Sequence, residues 1–304
     1  MAIATSKETR VRLGFDIASG EKLQFNCSRL DMPDRSKEFL SISQTRTYLR
    51  TARRVTESAA RLVSARMKGR CPPAARRKAE GDFVTEVDVA AEARLRRQLA
   101  EAHPDHGFLG EESGACSTDA DLVWVVDPVD GTSNLSRGLS PVAVSVACLH
   151  RLQPVAAAVY CFPEGALYSA AKGLGAFRGR QRLSPPKTHL DDSAILGVQW
   201  IRGVRRLAFL PRLLETGARI RNHGCTVAQL CDVAMGRLDA NLQEQGKIWD
   251  VAAAGLIAEE AGARFTDWRG RPIFPFPSLQ ADLDHPSLAA MPGVHRRLVR
   301  LLKA

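Results

Sequence analysis

Apolar residues at positions 49, 52, 55, 59, 62, 63 and 67 recur at three- and four-residue spacing, with arginines between them. That period predicts a helix over 46–69. A second helix is marked by Thr85 and Asp88, three residues apart in the manner of a capping box, and by Val89, Ala90, Ala91, Leu95 and Leu99. It runs to about residue 102. The pattern then changes. Residues 123–126, Val-Trp-Val-Val, are an unbroken apolar run of strand length. Residues 141–149, 155–160 and 166–170 are three further apolar runs separated by turn residues. With the glycine-rich turn at 173–179 they predict a meander in one sheet.

The polar, proline-containing stretch 178–189 is the expected internal boundary. Beyond it, 194–200 predicts a strand, 203–214 a helix, 220 onward a short strand, 227–235 a buried helix ended by Gly236, and 238–242 a strand. Residues 251–261 are apolar almost all round, so this helix is expected to be buried, with Asp250 at its N-cap. Residues 1–45 are polar, show no sustained period and are broken by Gly14, Gly20 and Pro33. They are expected to be a weakly ordered extension. The organisation expected is therefore an extension (1–45) and one domain (46–304) of two packed halves, 46–185 and 186–304.

Composition narrows the class. The chain has 304 residues, 45% hydrophobic and 25% charged, in the ordinary globular range. No apolar run approaches the roughly 18 residues that would span a bilayer. The first ten residues contain no apolar leader segment. Seven scattered cysteines, with no C-x-x-C pair, read as reduced thiols in a cytoplasmic protein. The net charge of +10 lies on the first 80 residues, which hold 18 Lys and Arg against 8 Asp and Glu; the remaining 224 hold 25 of each. No basic stripe interleaved with aromatics is present, so a solvated basic face is expected, with neither a nucleic-acid nor a membrane partner. A P-loop, a G-x-S-x-G elbow and His/Cys zinc spacing are absent, and Gly173 and Gly175 lack the following helix of a dinucleotide fingerprint.

The chemistry gathers after the 123–126 strand. Asp127 and Asp130 follow it, stiffened by Pro128, and Gly131 and Thr132 then offer backbone N–H groups with little side chain in the way. Carboxylates bind hard cations and free amides bind phosphate oxygens, so the segment suits a divalent metal beside a phosphate. An Asp-rich turn is the plainer alternative. Glu111 and Glu112 are adjacent carboxylates that repel each other unless solvated or shared with a cation. Asp88 and Asp250 can each be simple helix caps. At the mouth of a buried helix, however, Asp250 needs a partner beyond two amides.

Five ordered segments resemble the inositol monophosphatase family of Mg²⁺-dependent, lithium-sensitive phosphomonoesterases. They are Asp82-Phe-Val-Thr-Glu-Val-Asp, Gly110-Glu-Glu-Ser, Trp124-Val-Val-Asp-Pro-Val-Asp-Gly-Thr-Ser-Asn, Gly236-Arg-Leu-Asp-Ala and Trp249-Asp-Val-Ala-Ala-Ala-Gly. The likeness covers roughly residues 46–275. It implies a layered αβαβα sandwich of α/β class, two or three Mg²⁺ ions per site, a small phosphorylated metabolite as substrate and a homodimer. By the same resemblance Glu111, Asp127 and the carbonyl of Val129 bind one ion, and Asp127, Asp130 and Asp250 a second. A weaker third ion sits near Glu111. Asp88 and Thr132 orient the attacking water, and the amides of Gly131 and Thr132 hold phosphate. Cys225-Thr226 stands at a position that often faces substrate, and Glu244 near that of a substrate-hydroxyl ligand. Leu135 replaces an aromatic found in many relatives. Ser133-Asn134 favours a polyol monophosphate such as inositol 1-phosphate. Histidinol phosphate, a nucleotide 3′-phosphate and fructose 1,6-bisphosphate remain open, as does a non-catalytic role beside RNA or polymerase.

Overall fold

A computed structural model describes residues 40–69, 72–79, 82–185, 189–199 and 209–303. Residues 41–304 gather into one compact unit. Helix α1 (Ile42–Met67) begins four residues before the apolar period predicts. The Ser41 hydroxyl accepts the Gln44 amide while the Gln44 side chain accepts the Ser41 amide, a reciprocal cap that starts the helix at Ile42. The end of the supposed extension is thus the first turn of α1; residues 1–39 lie outside the described residues.

A two-stranded hairpin follows, β1 (Arg76–Ala79) and β2 (Asp82–Val84). The charged run at 76–78, which reads as solvated coil, is strand. Helix α2 (Glu86–Ala102) starts at Thr85 with the capping box that Asp88 predicts. Then come β3 (Gly107–Gly110), β4 (Gly114–Cys116), β5 (Leu122–Asp130), the single turn α3 (Thr132–Leu135), β6 (Val142–His150), β7 (Gln153–Phe162), β8 (Ala166–Ala171), β9 (Gly175–Arg178) and β10 (Gln181–Arg182). Eight of these strands form one sheet in the order β10-β9-β8-β7-β6-β5-β3-β4. Only β3 and β5 pair in parallel; the rest is the expected meander. The sheet runs past residue 178 to Arg182, into the stretch read as a connection.

The second half contributes β11 (Ile195–Gln199), α4 (Leu210–Leu214), β12 (Arg219–Arg221), α5 (Thr226–Met235), β13 (Ala240–Gln243), α6 (Ile248–Glu260), β14 (Arg264–Thr266), β15 (Ser287–Ala290) and α7 (Pro292–Lys303). Of the helix expected over 203–214 only α4 falls within the described residues. A five-stranded mixed sheet runs β12-β11-β13-β15-β14. Helix α6 starts at Ile248 rather than after Asp250. Lys247 is the extended cap residue, and Asp250 occupies the third helical position.

Packing stacks these pieces as five layers. Helices α1 and α2 cover one face of the large sheet, and α5 with α6 lies on the other, against both sheets. Helices α4 and α7 pack with the far face of the small sheet through Leu213, Val294 and Leu298. The central layer is the driest. Val251, Ala252, Ala253, Ala254, Leu256 and Ile257 on α6 are all buried against Leu109, Val125, Ala147 and Val159 of the large sheet's cluster. The run of alanines keeps the helix thin enough for this close layer, and Gly255 meets the Phe265 ring where even a Cβ would sit 2.6 Å away.

Candidate active site

The site begins with an irregularity in β5. Along β5 and β6, Asp127 pairs with Ser145 but Asp130 pairs with Ala143, so the register slips by one residue between the two aspartates. Pro128 lies inside that bulge, where its missing N–H costs no ladder bond. The carboxylates therefore belong to the strand itself rather than to a turn beyond it. Gly131 then takes φ +91°, a conformation that favours glycine, and an added Cβ would come 2.9 Å from the Pro141 carbonyl. This turn leads directly into α3.

A cleft of about 870 Å³ opens there. It is lined by Glu111 from the end of β3, Asp127, Val129 and Asp130 from β5, Gly131 and Thr132 from the turn, and Asp250 from α6. Four acidic side chains predicted from separate segments thus face one cavity. Burial pushes the Asp127 carboxyl far above its ordinary range, and Glu111, Asp130 and Asp250 add repulsion. Asp250 is raised by burial and then by Asp130 and Glu111. Burial lifts Asp130 to about 6 even though the Val227 amide donates to its Oδ2 at 2.6 Å. Glu111 is pushed up to about 7, chiefly by burial, against the pull of Lys78.

Two of the carboxylates are steadied by a local amide. Asp127 Oδ1 accepts from the Val129 amide at 2.9 Å, and Asp250 Oδ2 from the Lys247 amide at 2.7 Å. Among the described residues no three His, Cys, Asp or Glu side chains stand converged as a ready ligand set. The donors nevertheless suit a hard divalent ion. They are carboxylate oxygens without histidine, half-buried or buried and mutually repelling, and a cation would relieve the repulsion that helps raise their pKa values.

Asp88 lies behind this wall, fully buried. Its Oδ1 accepts the Thr132 hydroxyl at 2.6 Å; its Oδ2 accepts the Thr85 amide at 3.0 Å and also the Thr85 hydroxyl. One oxygen of Asp88 thus caps the helix and the other meets Thr132. The Thr132 Oγ1 also lies 3.0 Å from the Val129 carbonyl.

Three expected substrate residues do not reach the cleft. Cys225 is buried and turns its thiol onto Asp130 Oδ2 at 3.1 Å, and Thr226 donates to Gln243 Oε1 at 2.8 Å. Glu244 is not among the lining residues. Cys225 and Thr226 are buried at the start of α5, and the half-buried Glu244 follows β13 next to the lining residue Gln245.

Conversely, sequence reading missed Lys78. Its ammonium on the β1–β2 hairpin reaches Glu111 at 3.1 Å and Glu112 at 2.7 Å. Nothing in the run Arg76-Arg77-Lys78 distinguishes the third cation from the first two. The strand slips register between Arg77 and Ala79, and Lys78 lines the acidic cleft while Arg76 lines a different cavity. Lys247, Gln199 and Asn134 also line the cleft. Lys247 Nζ is held by the Asp282 carbonyl and Asp284 Oδ1 at 2.7 and 2.9 Å.

The sequence model of the inositol monophosphatase family matches residues 45–302, and the chain belongs to that family of phosphoric monoester hydrolases. It is 34% identical over 237 residues to the inositol-1-monophosphatase ImpA of Mycolicibacterium smegmatis, covering 75% of this chain and 83% of that one. It is also similar to the Nus factor SuhB of Xylella fastidiosa, at 32% over 198 residues, covering 64% and 72%. Among solved structures, the extragenic suppressor protein SuhB of Bartonella henselae superposes with a TM-score of 0.76 at 26% identity, covering 84% of this chain and 98% of that one. The mixed α/β layered fold is shared.

Proposed function

We propose that the chain hydrolyses a small phosphate monoester, a polyol phosphate such as inositol 1-phosphate, with Mg²⁺ as its metal. What carries this reading is four carboxylates with raised pKa values, one buried and three half-buried, facing one cavity beside an amide-bearing turn. Glu111, Asp127 and the Val129 carbonyl would hold one ion, Asp127, Asp130 and Asp250 a second, and Glu111 borders a weaker third. Bound there, magnesium supplies a water of lowered pKa and neutralises charge on the leaving oxygen.

The remaining work falls to the chain itself. Thr132 gives its proton to Asp88 Oδ1, which leaves the Thr132 oxygen able to accept a hydrogen bond from a water in the cleft. Asp88, held by Thr85, fixes that hydroxyl in place. The amides of Gly131 and Thr132 orient the phosphate. The bulge in β5 keeps Asp127 and Asp130 on the cavity side together.

A second reading is favoured by one face of α1. Arg46, Arg50, Arg54 and Arg61 are exposed along it, offset by Glu57, and the relatives include proteins named Nus factors. That face would bind a nucleic acid, with or without hydrolysis. One set of assays tests both readings. Phosphate release is measured from inositol 1-phosphate, histidinol phosphate, adenosine 3′,5′-bisphosphate and fructose 1,6-bisphosphate, with Mg²⁺ and then with a chelator. Metal-dependent release concentrated on the polyol phosphate is expected. No release by folded protein overturns the hydrolytic reading. A salt-sensitive shift of RNA by the full chain supports the second reading, and its absence at low salt removes it.

A further inference from the structure

On the far side of the Glu111–Ser113 turn lies a separate cavity of about 670 Å³, between the outer face of α2 and the β1–β2 hairpin. No residue of the proposed mechanism is used there except the backbone that Glu112 and Ser113 share with the cleft wall. Its floor is apolar: Val84, Val89, Ala93 and Ala100 line it, and Val89 remains 48% exposed, unusual for a valine on a helix. Three arginines, Arg76, Arg96 and Arg97, complete the rim.

The charges in this cavity do not cancel locally. Glu92 is buried and both its oxygens are taken, by the Glu112 amide at 2.8 Å and the Ser113 amide at 2.6 Å. Glu112 is engaged by Lys78. Both acids are hydrogen-bonded at the wall, and the three arginines of the lining outnumber them. Arg96 lies over the Phe108 ring, 5.7 Å from its centroid. Arg97 meets Glu101 only at 3.8 Å, with both side chains about two-thirds exposed, a pairing of little strength. No acidic partner stands beside Arg76 among the described residues.

We propose that this cavity is a binding site for a small amphipathic anion, a carboxylate, sulfonate or phosphate on a compact apolar body. The guanidinium forks of Arg96 and Arg97, with Arg76 opposite, take the charged head. The valines and alanines take the body. The volume falls within the range of small-ligand pockets. The site shares no lining residue with the acidic cleft.

The test is a fluorescence titration of the full chain with 1-anilinonaphthalene-8-sulfonate, followed by displacement. Saturable binding at one site is expected, displaced by octanoate and not by octanol. Arg96→Ala/Arg97→Ala should weaken binding at least about tenfold, because charge-assisted hydrogen bonds are lost. Ala93→Trp, which fills the groove from an exposed helix position, should abolish it. Circular dichroism confirms that each variant is folded. Equal binding by wild type and both variants overturns the proposal, as does the lack of saturable binding by wild type or displacement by octanol as readily as by octanoate. None of these readouts depends on phosphatase activity, so they stand or fall apart from the hydrolytic reading.

Discussion

Two groups of carboxylates in this protein meet opposite fates. Glu164, at the β7–β8 turn, accepts the Tyr168 hydroxyl at 2.8 Å, Arg237 at 2.9 Å and Arg178 at 3.3 Å. Burial alone would raise its pKa, but these partners outweigh it and hold the group below its ordinary value. Asp127 is buried and Asp130, Asp250 and Glu111 are half-buried; these four face one another, and all are raised. The chain has 43 basic residues against 33 acidic ones, so the contrast is not a shortage of cations. Among the described residues the Lys78 ammonium forms an ion pair with one carboxylate of this set, Glu111. A fold that rings one acid with cations and sets four others facing one another favours positive charge at the second place. This is the physical content of calling the cleft a site.

The comparison is broken most severely at Asp130. Asp130→Asn should lower metal-dependent phosphate release below about a tenth of wild type while the fold survives, since the loss falls on transition-state charge rather than on packing. Thermal unfolding in chelator should show no loss of stability comparable to the loss of activity. Retention of more than a tenth of the activity would remove Asp130 from its role.

Glu164→Gln is the matching change at the satisfied acid. It should cost about 1 kcal/mol in denaturant unfolding, because the pairs with Arg237 and Arg178 are partly exposed, and leave turnover within about twofold. A large fall in turnover would mean that the two groups are coupled through α5.

The smallest effect concerns buried groups kept neutral by burial instead of pairing. His106 stacks on His103 at a centroid distance of 4.6 Å, and burial, with His103 beside it, lowers its pKa from 6.5 to about 4. The folded value lies below the unfolded one. The stabilisation is therefore complete above pH 6.5 and is lost as pH falls toward 4. The melting temperature should drop across that window in wild type and drop less in His106→Phe. Parallel slopes would show that other groups govern the acid limb.

Much of this was legible in the chain. The spacing at 49–67 and 89–99, the capping box at Thr85 and Asp88 and the apolar runs at 123–170 place two helices and the meander. The ordered motifs name the family and gather Glu111, Asp127, Asp130, Thr132 and Asp250. What the order of residues determined was local: propensity, period and caps act within a few positions, so they can be read without knowing the fold.

Other features needed the tertiary structure. Cys225 and Thr226 look like cleft residues from their place in a motif, yet α5 turns their side chains onto Asp130 and Gln243. Lys78 looks like one solvated cation among three, yet the hairpin aims it at Glu111 and Glu112. Asp250 looks like an N-cap and sits three positions into its helix because Lys247 took the extended conformation. In each case the outcome was decided by which face of an element packs against which neighbour. For Lys78 and Cys225 the deciding contacts join residues 33 to 95 positions apart, and no local period encodes them.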